Sequence, residues 1–411
     1  MNRAARIGVV VVSVVIFCYA GLGHVLGRAT DDKAYKSLTV YGEVLQKIQQ
    51  DYVDDPNMHT VTAGSLHGLL ESLDPQSSYL TPREYDEYKK KLQNSGTGET
   101  GLTLSKRYGY VIVLSVLPDS PGTKAGVRSG DIFESIGGFT TRDMSVGQAL
   151  NLLSGQPGTG VKVAVIRRGK ATPDEVDIVR EKLATPKIIV QKADPDILVL
   201  RLPSLDVGRA DEIRNRLLDA EKQGVRKVIV DVRECGRGPV SEAISLARLF
   251  VPSGSITTLR GQTVSSQVFS AEAKQVVWKN SVSVLIDATT SGAAEVFASA
   301  IVANHRGDVV GERTFGLASE QKLITMDDGA ALILTVANYY NPGGKSILEE
   351  GITPTEIVRA VPEDSDSDDD DAAPAPEPQK EPGLGPRPLS PEDPIFHRAL
   401  DLLKTPAKKA A

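Results

Sequence analysis

Residues 187–358 carry the pattern that most restricts the fold, a regular alternation of short apolar strands with amphipathic helices. The strands are ILVLRL, KVIVDVR, SVSVLI and DVVGER, and the helices are ADEIRNRLLDAEKQG, VSEAISLARLF and AAEVFASAIVANH. Apolar strands of this kind are typical of sheets that are buried on both faces, and parallel strands need helices as connections. The pattern therefore predicts an α/β core built on a largely parallel sheet.

Two regions of different texture precede that core. Residues 33–95 have apolar residues at helical spacing, in YKSLTVYGEVLQKIQQDYV and TVTAGSLHGLLESL, and Pro82 is well placed near a further helix start. This spacing predicts an N-terminal helical segment. Residues 96–183 alternate short strands and glycine turns around one helix, SVGQALNLLSG, which predicts a small α+β module. The whole chain is therefore expected to be an α/β and α+β multidomain protein.

The first residues predict a membrane segment. Arg3 and Arg6 precede a mostly apolar stretch at residues 7–26. About 20 apolar residues are long enough to cross a bilayer as a helix, and positive residues in front of them stay in the cytoplasm. We expect an uncleaved single-pass anchor, with the rest of the chain on the outer side. The alternatives are a buried core helix or a cleaved signal peptide, although no small-x-small cleavage site is evident and Phe17 does not fit a lipoprotein signal.

Composition excludes several classes of function. The net charge is −6, but the run EDSDSDDDD at residues 363–371 holds seven acids, so the remainder is close to neutral and no nucleic-acid surface is implied. The acidic, proline-rich stretch around that run cannot bury enough apolar surface to fold, which predicts a linker before a short helix, PIFHRALDLLK, that could dock. No His, Cys or acid cluster has metal-ligand spacing, so neither a metal nor an organic cofactor is expected. The expected segments are the membrane segment 1–28, the helical segment 33–95, the small module 96–183, the core 184–360, the linker 361–394 and the C-terminal helix 395–404.

The segment DATTSGAAEVF, residues 287–297, lies where a serine peptidase would keep its nucleophile. It joins the apolar strand SVSVLI to a helix through small residues. A reactive side chain at this junction would face backbone N–H groups at a helix start, which can stabilise an oxyanion. The residue type at the junction therefore decides whether the chain is a working peptidase.

The order of the modules resembles the C-terminal processing, or tail-specific, serine peptidases over roughly residues 36–360. The landmarks that carry the resemblance are SLDPQSSYLTPREY, GLTL, AGVRSGDIFESIGG, LLSGQPGTGVKVAVIRR, GERTFG, YYNPGGKSI and GITPTEIV. The resemblance implies a βα-type, ClpP/crotonase-like peptidase core with an inserted PDZ domain. It also implies a protein of the bacterial inner membrane, with the bulk of the chain in the periplasm or extracytoplasmic space.

The resemblance places the family's catalytic roles on residues that cannot perform them. The family needs a serine nucleophile and, about 25 residues later, a lysine base that burial keeps neutral. When Glu295 sets the register, the nucleophile position is Gly292 and the base position is Leu317. The family's supporting glutamine is retained as Gln321, but residues 235–238, Cys-Gly-Arg-Gly, replace an Asn-Pro-Gly-Gly oxyanion loop. Loss of a peptidase nucleophile costs on the order of 10⁶ in turnover, so we interpret the chain as a degenerate peptidase.

Other residues could substitute for the missing groups. Ser291 is one position from Gly292, but it would lack the lysine base. Cys235 offers a thiol with no histidine near it in sequence. The remaining candidates are His305, Ser319 and Lys322. A serine-type endopeptidase that cleaves protein tails through one of these non-standard groups is the alternative function.

The PDZ-like module retains the residues that peptide binding requires. In such domains a peptide C-terminus adds to a sheet edge, loop N–H groups hold its carboxylate, and an apolar pocket takes its last side chain. The candidates are Leu102, Thr103 and Leu104 in the loop, with Val146 and Leu150 on the helix wall. Alternatively, Leu102 and Leu104 belong to the core, the groove is closed, and the chain is a structural scaffold.

The leading hypothesis is a membrane-anchored pseudopeptidase. Its expected partners are protein C-terminal tails or unfolded polypeptide, and it could serve as an adaptor for an active peptidase relative or an envelope complex. The resemblance also suggests a homo-oligomer.

Overall fold

The structure, a computed structural model, describes residues 36–93, 96–167, 172–359 and 393–405. The predicted membrane anchor at residues 7–26 and most of the predicted acidic linker lie outside these ranges. Within them, no helix has both the length and the apolar character needed to span a bilayer. The chain divides into two compact units, Met1–Ser65 and Leu66–Ala411, and all of the described sheets belong to the second unit.

The N-terminal region is helical, as its apolar spacing predicts. Helix α1 covers residues 36–51, α2 covers Met58–Glu71, strand β1 covers Ser78–Leu80, and α3 covers Pro82–Gln93. The start of α3 is capped because the backbone N–H and the hydroxyl of Thr81 both donate to Glu84 at 2.8 Å. His67 of α2 faces α3, with its Nε2 3.9 Å from a Glu84 oxygen. The short strand β1 was not predicted from the sequence.

The small module is an antiparallel sheet with two helices. Its elements are β2 (Leu102–Arg107), β3 (Tyr110–Val116), α4 (Pro121–Lys124), β4 (Ile132–Ile136), β5 (Phe139–Thr140), α5 (Val146–Leu153), β6 (Gly160–Ile166) and β7 (Asp174–Val179). The strand order is β2-β3-β4-β6-β7, with β5 paired to β4. Strand β2 therefore lies at an edge of the sheet, beside helix α5. Ser145 and Gln148 form a capping box that fixes the start of α5.

The core contains the predicted parallel sheet. Its elements are β8 (Ile189–Asp194), β9 (Ile197–Arg201), α6 (Arg209–Lys222), β10 (Lys227–Asp231), α7 (Val240–Arg248), β13 (Ser281–Ile286), α8 (Ala293–Ala303), β14 (Asp308–Gly311) and β17 (Glu356–Ile357). The order is β17-β14-β13-β10-β9-β8, and every pairing is parallel except that of β8 with β9. The prediction of a largely parallel sheet is confirmed. The turn between β13 and α8 lies at the carboxyl edge of this sheet, where α/β proteins place their ligand sites.

A second, antiparallel sheet accompanies the parallel one and was not predicted. It contains β11 (Ser255–Arg260), β12 (Gln267–Ser270), β15 (Ser319–Thr325) and β16 (Ala331–Tyr340). A short 3₁₀ helix follows β12 at Ala273–Gln275. Strand β1 pairs with β16, which joins the region just after the N-terminal helices to the core. The period-two signal in these strands is weak because most of their side chains are partly exposed on both faces.

The C-terminal helix docks on the parallel sheet, as its apolar spacing suggests. Helix α9 (Pro394–Lys404) buries Ile395, Phe396, Ala399 and Leu403 against one face of the sheet. Along β9, Ile197 and Val199 face α9, whereas Leu198 and Leu200 belong to the larger core on the opposite face. This alternation is the period of two expected of a strand that is covered on both faces. Asp393 caps α9 and lies 2.6 Å from the Arg233 guanidinium.

Candidate active site and peptide groove

Gly292 occupies a sharp turn between β13 and α8. Its φ of 63° and ψ of −120° lie in a region that favours glycine, because a Cβ there is strained. The preceding residues are held by Asp287, whose Oδ1 accepts from the backbone N–H groups of Thr289 and Thr290. No heavy atom of the described residues lies within 4 Å of the position that a Cβ on Gly292 would take. The turn has the shape of a nucleophile elbow, with a hydrogen where the nucleophile would be.

Leu317 lies beside Gly292, although the two are far apart in sequence. The backbone N–H groups of Gly292 and Leu317 donate to the same oxygen, Glu295 Oε2, at 2.8 and 2.7 Å. The Phe315 N–H also donates to the Thr290 carbonyl, which ties the segment before Leu317 to the turn before Gly292. The structure thus brings together the two positions to which the sequence assigns nucleophile and base.

Glu295 is the centre of this arrangement. Its carboxylate is fully buried and accepts four hydrogen bonds, two from Gly292 and Leu317, one from the Gly316 N–H at 2.6 Å and one from the Thr314 hydroxyl at 2.6 Å. Burial raises the pKa of Glu295 to about 7, and the hydrogen bonds oppose a further rise. The sequence analysis used Glu295 only to set the register. Its position three residues into a helix, as in a capping box, is the signal that could have revealed this role.

The side chains at these two positions offer no chemistry for attack on an amide. Gly292 has no side chain, and the isobutyl group of Leu317 carries neither a base nor a donor. Gln321, the retained glutamine, is exposed on β15 and donates to Ser319 Oγ at 2.7 Å. Lys322, the next residue on that strand, is also exposed.

The substitute nucleophiles are not activated in this structure. Ser291 is fully buried, and its hydroxyl has no hydrogen-bond partner among the described residues. Cys235 is also buried, and burial raises the pKa of its thiol to about 12, the opposite of what a reactive cysteine requires. His305 is exposed just beyond the far end of α8, roughly 20 Å from Gly292 at the rise of a helix.

The loop at residues 235–238, where the resemblance places an oxyanion loop, connects the core to the small module. The Arg237 guanidinium lies 3.0 Å from a Glu99 oxygen in the small module and 3.7 Å from Asp206 in the core. A Cβ on Gly236 would lie 2.7 Å from Ser291 Oγ and 3.1 Å from the Thr103 methyl group, so the loop passes close to both side chains. The loop is therefore packed between the turn at Gly292 and strand β2.

A cavity of about 370 Å³ lies between the start of β2, helix α5 and helix α3. Its lining includes Tyr88, Lys91, Leu92, Glu99, Gly101, Leu102, Leu150, Asn151 and Leu153. Gly101 has a φ of 78°, and a Cβ on it would lie 2.3 Å from the Ser120 Cβ, so this loop position requires glycine. The cavity combines the edge of strand β2, the loop that contains Gly101 (the glycine loop) and the wall formed by helix α5. These are the parts of a β-augmentation groove.

The predicted peptide-binding residues divide into three groups. Leu102 and Leu150 line the cavity, and 44% of the Leu150 side chain is exposed. Leu104 and Val146 are buried in the core of the small module, which corrects the predicted peptide-binding roles of Leu104 in the loop and of Val146 on the helix wall. Thr103 points its methyl group towards Gly236 instead of the cavity, since alternate residues of a strand face opposite sides. Lys91 and Asn151 were missed, because their approach to the loop depends on packing between distant segments.

The sequence matches two family models, peptidase family S41 over residues 196–358 and the PDZ domain over residues 112–167. It is 28% identical to a carboxy-terminal-processing protease of Bartonella bacilliformis over 80% of this chain and 76% of that protein. It is 27% identical to the carboxy-terminal processing protease CtpA of Bacillus subtilis over 84% of this chain and 74% of that protein.

The fold is similar to that of a solved relative. The structure of a photosystem II D1 C-terminal processing protease matches with a TM-score of 0.65 and 22% identity, over 78% of this chain and 92% of that one. The parallel sheet and the inserted antiparallel module thus agree with the matches in sequence. Residues 196–358 of this chain belong to peptidase family S41, and residues 112–167 belong to a PDZ domain.

Proposed function

We propose that this protein is a pseudopeptidase that binds the C-terminal tails of other proteins without cleaving them. The observation that carries the proposal is the pairing of Gly292 with Leu317 at the carboxyl edge of the sheet. A hydrogen and an isobutyl group can neither attack a carbonyl nor accept a proton, so the usual Ser-Lys mechanism cannot operate at these positions. The curated relatives are named as proteases, and this chain differs from a working member at the positions that do the chemistry.

Tail binding is supported by the cavity beside β2. Leu102 and Leu150 provide apolar surface, and β2 has a free edge to which an extended peptide could add as a further strand. The contact of Arg237 with Glu99 links the glycine loop of this groove to the core. A bound tail would therefore lie against the same loop that borders the former catalytic turn.

The cellular setting completes the proposal. Residues 7–26 would anchor the chain in the bacterial inner membrane and place the PDZ domain and core in the periplasm. There the protein would capture tails or unfolded polypeptide and present them to an active peptidase relative or to an envelope complex, as a monomer or as a homo-oligomer.

The full-length protein in detergent provides the test. An unstructured protein substrate and fluorescent peptides with free C-termini are incubated with wild type, with Ser291→Ala and with Cys235→Ala. We expect peptide binding and no fragments from any of the three proteins. Fragments that appear with wild type and disappear with Ser291→Ala or Cys235→Ala would establish the alternative, an endopeptidase with a non-standard nucleophile. A protein that neither binds nor cleaves would be the scaffold.

A further inference from the structure

Lys91 brings a positive charge into the groove from outside the PDZ domain. It lies on α3, in the helical segment that precedes the domain, and it lines the cavity together with Gly101 and Leu102. The end of α3 is held at the glycine loop because Thr97 Oγ1 donates to the Lys91 carbonyl at 2.8 Å. The cavity is thus a composite of α3, the small module and, through Ile333 of β16, the core, so the PDZ sequence alone supplies only part of it.

The Lys91 ammonium is placed by Asn151 of α5. It donates to both the backbone carbonyl and the side-chain Oδ1 of Asn151. An ammonium has three donors, so these two contacts leave one. Asn151 is nearly buried and also lines the cavity, which keeps the ammonium at the wall of the cavity instead of in bulk water.

No carboxylate of the described residues lies within ion-pair distance of the Lys91 ammonium. Burial lowers the pKa of Lys91 and the nearby Arg180 lowers it further, while Glu87 opposes the change. Glu99 is the acid that lines the same cavity, but its carboxylate is directed to Arg237. Arg180 in turn donates to the carbonyls of Leu152 and Leu153 at the end of α5. When an anion reaches a half-buried cation that has no counter-ion, the pairing stabilises the cation.

We infer that Lys91 binds the terminal carboxylate of a captured tail, while the apolar wall takes the last side chain. The carboxylate would accept the remaining ammonium donor together with N–H groups of the glycine loop, as charge-assisted hydrogen bonds. Leu92, Leu102 and Leu150 offer the last side chain an apolar surface. The ligand class is therefore a polypeptide with a free C-terminus and an apolar final residue. The inference rests on the proposed tail binding and adds the residue that selects a free carboxylate.

The test compares ten-residue fluorescent peptides that end in Leu, each made as a free acid and as a C-terminal amide. Full-length wild type should bind the acid at least about tenfold more tightly than the amide, because charge-assisted hydrogen bonds are strong. Lys91→Met should reduce that ratio to about threefold or less and should leave the affinity for the amide nearly unchanged. Lys91→Arg should retain the preference. Lys90→Met, at the exposed neighbouring position, is the matched control.

The outcomes separate the two proposals. If wild type binds the acid and Lys91→Met keeps the full preference for it, the role of Lys91 is overturned and tail binding stands. If Lys91→Met weakens acid and amide equally, Lys91 only holds α3 against α5, and the inference is again overturned. If wild type binds neither peptide, tail binding fails and the inference fails with it.

Discussion

The turn at Gly292 and the groove at Lys91 belong to the same compact unit. They differ in whether their polar groups are fully hydrogen-bonded within the fold. At the turn, the N–H groups of Gly292, Gly316 and Leu317 are all taken by the buried Glu295 carboxylate. In the groove, Lys91 keeps a donor, and the exposed Leu150 faces the cavity. At the turn the polar groups are satisfied within the fold, whereas in the groove a donor is left for a ligand.

This difference bears on the proposed loss of catalysis, because the contacts at the turn do not require catalytic side chains. We call the four hydrogen bonds to the Glu295 carboxylate the clamp. Three of the four donors are backbone N–H groups, so the clamp needs no particular side chain at residues 292 and 317. Both a Ser-Lys pair and the present Gly292 and Leu317 would provide these backbone donors. The proposed groove contacts, in contrast, are made by side chains such as those of Lys91 and Leu150.

Restoring the family's serine nucleophile and lysine base should have the largest effect on activity. The double variant Gly292→Ser with Leu317→Lys would place a hydroxyl and an amine on two positions that already converge on Glu295. Because loss of a nucleophile costs on the order of 10⁶, we expect cleavage of an unfolded protein to rise by at least about 10³-fold over wild type. Fragment release from a quenched fluorescent substrate measures it. Each single variant is the control and should stay at the wild-type rate. A wild type as fast as the double variant would contradict the comparison.

Removing the clamp should have the largest effect on stability. Glu295→Ala leaves three buried N–H groups and the Thr314 hydroxyl without their acceptor, and each loss costs about 1–3 kcal/mol, so the free energy of unfolding should fall by at least about 4 kcal/mol. Trp278, the single tryptophan of the sequence, is buried in the core and reports unfolding in urea. Glu221→Ala, at an exposed position on α6, should change the free energy by less than about 0.5 kcal/mol. Equal midpoints for the two variants would refute the role of the clamp.

A charge on the groove wall should abolish tail binding without affecting the core. Leu150→Asp places a carboxylate where an apolar side chain would be buried, so the affinity for a free-acid peptide should fall at least about tenfold. Fluorescence anisotropy measures the affinity. The matched control is Leu218→Asp on α6, where the leucine is 39% exposed, similar to the 44% of Leu150. A similar loss in both variants would mean that the groove is not the binding site.

Lowering the pH should reduce the stability that His67 contributes near the groove, by less than the substitutions above change stability or binding. Burial lowers the pKa of His67, which lies 3.3 Å from Gln148 in the capping box of α5. The unfolded chain therefore takes up a proton below about pH 6.5, before the folded chain does, and the His67 contribution to stability falls as the pH drops through that window. Calorimetry from pH 7.5 to 5.0 should show a smaller decrease in melting temperature for His67→Gln than for wild type. Parallel curves would exclude this coupling.

Patterns of neighbouring residues were enough to predict the helices and strands. The residues of the groove were predicted only in part, because they depend on contacts between segments far apart in sequence. The apolar strands and the helix at Ala293–Ala303 follow from periodicity, which depends on residues close in sequence. The groove was predicted in part, because a strand pattern does not reveal which face meets the core, and Leu104 therefore proved to be buried. Lys91 carries no signal in its own neighbourhood, because its partner Asn151 is 60 residues away.

The sequence by itself determined the α/β alternation of the core and the absence of a serine at residue 292 and a lysine at residue 317. These are properties of residue type and of spacing along the chain, so no folding is needed to know them. Only the tertiary structure decided that Gly292 and Leu317 meet on Glu295, that Arg237 reaches Glu99, and that Lys91 lines the groove. The physical reason is that each of these contacts joins segments whose approach is set by the packing of the sheets and helices between them.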